Sequence, residues 1–200
     1  MPKRFFCSDK HHQHINIIKY ENRPFNSIEE MDKKLISYHN EMVKEDDICY
    51  DLGDFYFRGG YQAGNKHYSE FLRQYNGRYV IVRGNHERSN KIIDSIQSCT
   101  MYLSNISILC LHDPINANTK QDLVLHGHLH SKSFVMELHE NNKKSLLINV
   151  GVDVPAWKFQ PVEWRKLEEL YTQWKVGKIK APIYDKKAVK EYRANLRNKR

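Results

Sequence analysis

The chain has 200 residues, 40% of them hydrophobic and 28% charged, with a formal net charge of +8. That length suits one domain with a sizeable core, and the mix is that of a folded globular protein, not of a disordered or collagen-like chain. No apolar run approaches the roughly 20 residues needed to cross a bilayer, so no membrane partner is expected.

Taken in chain order, residues 3–8 read as a short strand that delivers Asp9 just past its end, and Phe5-Phe6 come too early to leave room for a signal peptide. Residues 27–44 carry Ile28, Met31, Leu35, Ile36 and Met42 at helical spacing, and Ser27 with Glu30 makes a capping box. Residues 47–52 form a buried strand ending at Gly53-Asp54. Residues 62–75 are a helix with Tyr68, Phe71, Leu72 and Tyr75 on one stripe. After an Asn76-Gly77 turn, residues 78–82 form a third strand, ending at Arg83-Gly84-Asn85-His86. Residues 106–111 lead into His112, and residues 122–125 lead into His126-Gly127-His128. Residues 134–139 and 145–150 flank a polar turn as a hairpin, and residues 161–174 and 185–198 are helical. Strands alternate with helices early and then cluster, which implies an α/β protein with helices covering a layered sheet.

The four cysteines show no metal-type or redox-type spacing, and three lie in apolar runs. Reduced, buried thiols and a cytoplasmic location are expected. The charge is uneven. Residues 178–200 hold nine basic side chains against Asp185 and Glu191, so this segment carries +7 of the +8. It reads as a basic extension beyond a domain of residues 1–177, either a nucleic-acid contact or a solvated helix end.

The chemistry concentrates in five short segments behind apolar runs: Asp9-x-His11, Gly53-Asp54, Gly84-Asn85-His86-Glu87, His112 and Gly127-His128-Leu129-His130. Carboxylate, amide oxygen and imidazole are the donors that hard and borderline divalent metals take. Residues two apart in an extended segment point the same way, so Asp9 and His11 can converge on one cation. Any one fragment has an ordinary structural explanation, but five in this order favour a metal site.

That order of motifs resembles the calcineurin-like metallophosphoesterase superfamily over roughly residues 5–155. Cys7-Ser8-Asp9-x-His11-x-x-His14 and Asn22-Arg23-Pro24-Phe25 also resemble small bacterial and phage members. The resemblance implies a four-layer α/β/β/α sandwich with two metals at the strand ends, commonly manganese, iron, zinc or nickel. Asp9, His11 and His130 would hold one, Asn85, His112 and His128 the other, with Asp54 bridging. It further implies hydrolysis of a phosphoester by in-line attack of metal-activated water, with His86 protonating the leaving oxygen. Gly53-Asp54-x-x-Phe57-Arg58-Gly59 resembles the protein serine/threonine phosphatase segment, which puts Arg58 on a phosphate-binding arginine. Phe57, however, stands where that subgroup has the aspartate that orients the catalytic histidine. Asn85 and Arg23 are further candidates for substrate contact. A nucleotide or nucleic-acid ester is the favoured substrate. The alternatives are a protein phosphatase, or a non-catalytic binding module on the same fold. Oligomeric state is not legible.

Overall fold

Alternation within the strands dictates the layering. In β5 (Ile106–Leu111), Ile106, Ile108 and Cys110 join one apolar cluster while Leu109 and Leu111 join another, and all five are buried. A strand apolar on both faces needs a cover on each side. The computed structural model, which describes residues 1–57, 65–87 and 95–197, supplies both covers.

Among the described residues there are two sheets. In the first, β3 (Arg78–Ile81), β2 (Ile48–Asp51), β1 (Arg4–Cys7) and β9 (Val162–Glu163) lie side by side in that order. The second runs β4 (Ser98–Leu103), β5, β6 (Leu123–His126), β8 (Lys143–Asn149), β7 (Val135–Glu140). Strands β1, β2 and β3 are parallel, as are β5, β6 and β8, whereas β9, β4 and β7 pair antiparallel at edges of the sheets.

Phe6 from the first sheet meets Ile108, Leu123, Leu125, Leu146 and Ile148 from the second in a shared core, which α4 (Trp164–Lys175) extends with Leu167, Tyr171 and Trp174. On the first sheet's outer side, Phe5, Cys7 and Cys49 pack with Val43, and Phe55 packs with Tyr68 and Tyr75. Helices α2 (Ile28–Met42) and α3 (Asn65–Leu72) belong to this layer. On the second sheet's outer side, Leu109, Leu111, Val124 and Leu147 pack with Tyr184 and with Val189 of α5 (Lys186–Arg197). The fold is therefore a four-layer α/β/β/α sandwich. Among the described residues no helix is long and apolar enough to cross a membrane.

The C-terminal segment departs from its reading as an extension. Tyr184 is buried, and Lys186 Nζ donates to the Ala117 carbonyl (2.7 Å) and pairs with Glu140 (2.7 Å). Helix α5 thus supplies the outer layer of the second sheet, because Leu109, Leu111 and Val124 would otherwise face water. Removing residues 178–200 would strip that cover as well as the positive charge.

Smaller differences have local causes. Helix α1 (Ile15–Tyr20), β4 and β9 were not anticipated: the first is six residues long, β9 only two, and β4 is at most half-buried along its length. The hairpin turn is tighter than expected, with Asn141 and Asn142 both left-handed (φ 52° and 59°), which matches the twist of the flanking strands. Ser27 Oγ accepts from the Glu30 N–H (3.1 Å), but the Glu30 carboxylate reaches back to Asn26 instead of Ser27. Residues 62–64 of the expected third helix lie outside the described residues.

His39, on α2, is 1% exposed, and Nε2 donates to the Asn76 carbonyl (3.0 Å). Burial, reinforced by the Lys10 charge, depresses its pKa to about 3. An unfolded histidine titrates near 6.5, so the unfolded chain binds the extra proton first. The stability owed to neutral His39 is therefore complete above about pH 6.5 and is lost as the pH falls towards 3. Thermal melts should show Tm declining over that window, and the decline should be shallower in His39→Gln. An equal slope in both proteins would contradict this assignment.

Candidate metal centre

The parallel strands of both sheets end on the same side. Asp9 follows β1, Asp54 follows β2, Asn85 follows β3, His112 follows β5 and His128 follows β6. In open α/β sheets the carboxyl ends of strands are where ligand sites form. Short bonds bind these ends together: the Asp9 N–H donates to the Gly53 carbonyl (2.9 Å), and the Gly127 N–H donates to the His112 carbonyl (3.0 Å). The Asp9 carboxylate accepts from the His128 N–H (3.0 Å).

The convergence of Asp9 with His11 does not come from an extended segment, as the sequence suggested. Asp9, His11, Asp54, His128 and His130 all have positive φ, between 48° and 70°. Non-glycine residues adopt this region infrequently, and its clustering at one place marks a site where geometry is held against local preference. Gly84 serves the same end by close approach. A Cβ there would strike the Asp54 side chain and backbone and sit 2.6 Å from Glu87 Oε2.

Among the described residues four overlapping donor groups result, two of them His11 with Asp54 and His86, and Glu21 with His130 and Asp153. In a first group of expected ligands one atom each from Asp9, His11 and His130 lie within 4.8 Å of one another, and in a second so do atoms of Asp54, His112 and His128. Asn85 Oδ1 closes the second group, 3.0 Å from His112 Nε2 and 2.8 Å from His128 Nδ1. Asp54 Oδ2 lies between them, 3.2 Å from His112 Nε2 and 3.7 Å from His11 Nε2. All seven residues singled out as ligands therefore lie at this one place.

The donors fit a cation. His11 Nε2 is buried with no hydrogen-bond partner among the described residues, a costly state that a metal bond would relieve. For the polypeptide by itself, burial pushes the Asp9 carboxyl up and the His11 imidazole well down. Burial would likewise lower His112, but its hydrogen bond to Asp54, with the Asp9 and Asp54 charges, takes it up to about 9. Burial opposes ionisation of Asp54, yet His112 and the other neighbours hold it well below the usual carboxylate range. His128 is depressed to about 4, chiefly by burial. His11 and His128 thus favour the neutral form that a divalent metal takes, whereas a cation would have to displace the His112 proton.

Outer contacts fix the imidazoles. His130 Nδ1 donates to Asp153 Oδ2 (2.7 Å) and His112 Nδ1 donates to the Leu52 carbonyl (2.8 Å), leaving Nε2 of each facing inward. Asp153 had no motif to announce it. Its carboxylate also receives a two-pronged contact from Arg23, Nε to Oδ1 at 2.7 Å and Nη2 to Oδ2 at 2.8 Å. Arg23 further donates to the carbonyls of Lys10 (2.8 Å) and Asp9 (2.7 Å) and is 4% exposed. This corrects its reading as a substrate contact. The guanidinium is consumed in clamping the Asp9 loop to Asp153. Glu87 plays a matching part, accepting from the N–H groups of Asp54 (2.9 Å), Phe55 (2.7 Å) and Gly84 (2.8 Å).

His86 stands at the mouth, its side chain 32% exposed, with Nε2 3.9 Å from Asp54 Oδ2 and its N–H donating to Asp54 Oδ1 (2.9 Å). Phe57 holds it by ring contact in place of the missing aspartate. Phe57 stacks on His14 (centroids 3.7 Å apart) and meets the His86 ring edge-on at 5.2 Å, while His11 meets His86 at 5.0 Å. Arg58 lies outside the described residues.

Sheet order, layers and strand-end donors define the class, an α/β/β/α sandwich carrying clustered metal-type side chains at its strand ends. The chain belongs to the family of the uncharacterized protein MJ1445 of Methanocaldococcus jannaschii, to which it is 34% identical over 178 residues, covering 88% of this chain and 95% of that protein. No protein-family model matches it. Its fold is similar to that of a protein of unknown function, AQ665 of Aquifex aeolicus (TM-score 0.62, 21% identity, 85% of this chain and 100% of that chain). An archaeal phosphodiesterase gives a TM-score of 0.39 at 18% identity, over 74% of this chain and 83% of that chain.

Proposed function

We propose that the protein is a dinuclear metal-dependent phosphoester hydrolase. The observation that carries this reading is the clustering of donor groups at five strand ends, with Asp54 Oδ2 between His11 and His112. Asp9, His11 and His130 would hold one divalent cation, and Asn85, His112 and His128 the other. A mixed oxygen and nitrogen set without thiolate suits a hard or borderline divalent ion, and manganese is the proposed one, with iron, zinc or nickel as alternatives. Two such cations, when bound, activate water at neutral pH and neutralise charge on a phosphoryl group.

The chain's own residues do the remainder. Asp153 and the Leu52 carbonyl hold His130 and His112 in the tautomer that leaves Nε2 as a ligand atom. His86, exposed at the mouth and fixed by Phe57 and the Asp54 carboxylate, delivers a proton to the departing oxygen. Arg58 is proposed as a phosphate contact. A nucleotide or nucleic-acid ester is favoured over a phosphoprotein, since Phe57 supports His86 through rings and not through a carboxylate. A filled ligand set with His86 in place favours catalysis over a binding module.

Turnover of bis(p-nitrophenyl) phosphate and p-nitrophenyl phosphate by metal-stripped and reloaded protein tests the reading. Folded protein that turns over neither ester with manganese, nickel, cobalt or zinc would refute it. His86→Ala should retain bound metal and lose about 10²-fold or more on esters with poor leaving groups, with a smaller loss on nitrophenyl esters. Equal losses on both would contradict the proton-donor role.

A further inference from the structure

A cavity of about 470 Å³ opens beside the second donor group, with Asn85, His112 and His128 in its wall. That volume lies within the range of small-molecule sites. Its charged walls are Arg83, Asp113 and Arg193. Arg193 comes from α5, the helix whose basic character had no assigned role. Its Nη1 donates to Asp113 Oδ2 (2.6 Å), and its Nη2 donates to Asp113 Oδ1 (3.3 Å) and to His128 Nε2 (3.1 Å). A guanidinium has five N–H donors, so two remain after these three contacts. Arg83 spends only Nε among the described residues, on Ser95 Oγ (3.1 Å). Asp113 therefore steadies one arginine, while among the described residues the pair leaves the cavity wall with an excess of positive charge and unused donors.

We propose that this cavity is the subsite for the part of the substrate beyond the scissile phosphate, and that Arg193 and Arg83 make it select a group bearing a further phosphate. The proposal rests on the phosphoester-hydrolase reading and names its substrate class. Arginine suits the role because its planar fork matches phosphate oxygens and stays charged. Docking of α5 on the second sheet is what brings Arg193 to the cavity wall, so the C-terminal helix completes the site.

The test compares thymidylyl-thymidine with and without phosphates at both ends, using the manganese-loaded full chain. Wild type should prefer the phosphorylated dinucleotide in kcat/KM by about tenfold or more, the scale of a charge-assisted hydrogen bond. Arg193→Gln and Arg83→Gln should each reduce that ratio towards one, mainly through KM, with partial rescue by Arg193→Lys. Calorimetry with thymidine 3′,5′-bisphosphate and thymidine gives an independent readout, with tighter binding of the bisphosphate that both variants weaken about tenfold. Wild-type protein without the preference, or variants that slow both dinucleotides equally and bind the bisphosphate normally, would overturn the subsite. Should wild type hydrolyse neither dinucleotide while turning over a nitrophenyl ester, the subsite is overturned and the hydrolase reading stands. Should it turn over no ester at all, the hydrolase reading fails and the calorimetric arm alone upholds or overturns the subsite.

Discussion

Replacing Asp54 by asparagine should lower phosphodiester turnover by roughly two to three orders of magnitude, corresponding to the loss of about 3–4 kcal/mol of transition-state stabilisation. Asparagine tolerates the left-handed conformation that Asp54 adopts (φ 54°), so the loop should keep its path. What disappears is a negative charge lying 3.2 Å from His112 Nε2 and 3.7 Å from His11 Nε2. Because one carboxylate faces both donor groups, manganese binding should weaken at both, and calorimetric titration alongside kcat/KM would show it. Loss of a single equivalent with turnover kept within tenfold would mean that Asp54 is not shared.

The largest expected effect on stability belongs to Arg23→Met. Methionine replaces the bulk of the side chain but leaves Asp153 ionised and buried, and the Asp9 and Lys10 carbonyls without their donor. Removing one partner of a buried pair costs about 3–5 kcal/mol. For a chain of this size that corresponds to a fall in Tm of roughly 6–20 °C. Arg23→Lys should rescue little, since an ammonium cannot reproduce the two-pronged contact with Asp153 and also reach both carbonyls. A Tm within about 2 °C of wild type for Arg23→Met would show that the clamp is not needed.

Much of the site was legible because its ligands sit directly behind apolar strands, where chain order and spacing survive as a pattern. Asp9, Asp54, Asn85, His112 and His128 each follow a strand in the structure as they do in the sequence. The supporting residues were not legible for the opposite reason. Asp153 acts through Arg23, 130 residues away in the chain, and no local spacing encodes such a partnership. Glu87 was visible within its motif, but its three backbone contacts depend on how two loops meet. The extended geometry assumed for Asp9-x-His11 misjudged a backbone held at positive φ, which tertiary bonds impose against local preference.

The C-terminal helix teaches a related lesson. Its charge count suggested a separate extension, and charge does dominate its sequence. Two residues outweigh it: Tyr184 and Val189 fill the gap over Leu109, Leu111 and Val124 and thereby seat α5. Burial of two apolar side chains is a weak signal in a basic segment, but it fixes where Arg193 ends up.

The central claim is that two cations share one carboxylate and that hydrolysis depends on them. Its most direct test is the number of manganese equivalents bound by metal-stripped full chain, measured together with turnover of bis(p-nitrophenyl) phosphate at each point of the titration. Two equivalents per chain, with activity absent at the start and complete only as the second binds, is the predicted result. Binding of no manganese, or hydrolysis that persists unchanged in the stripped protein, would contradict it.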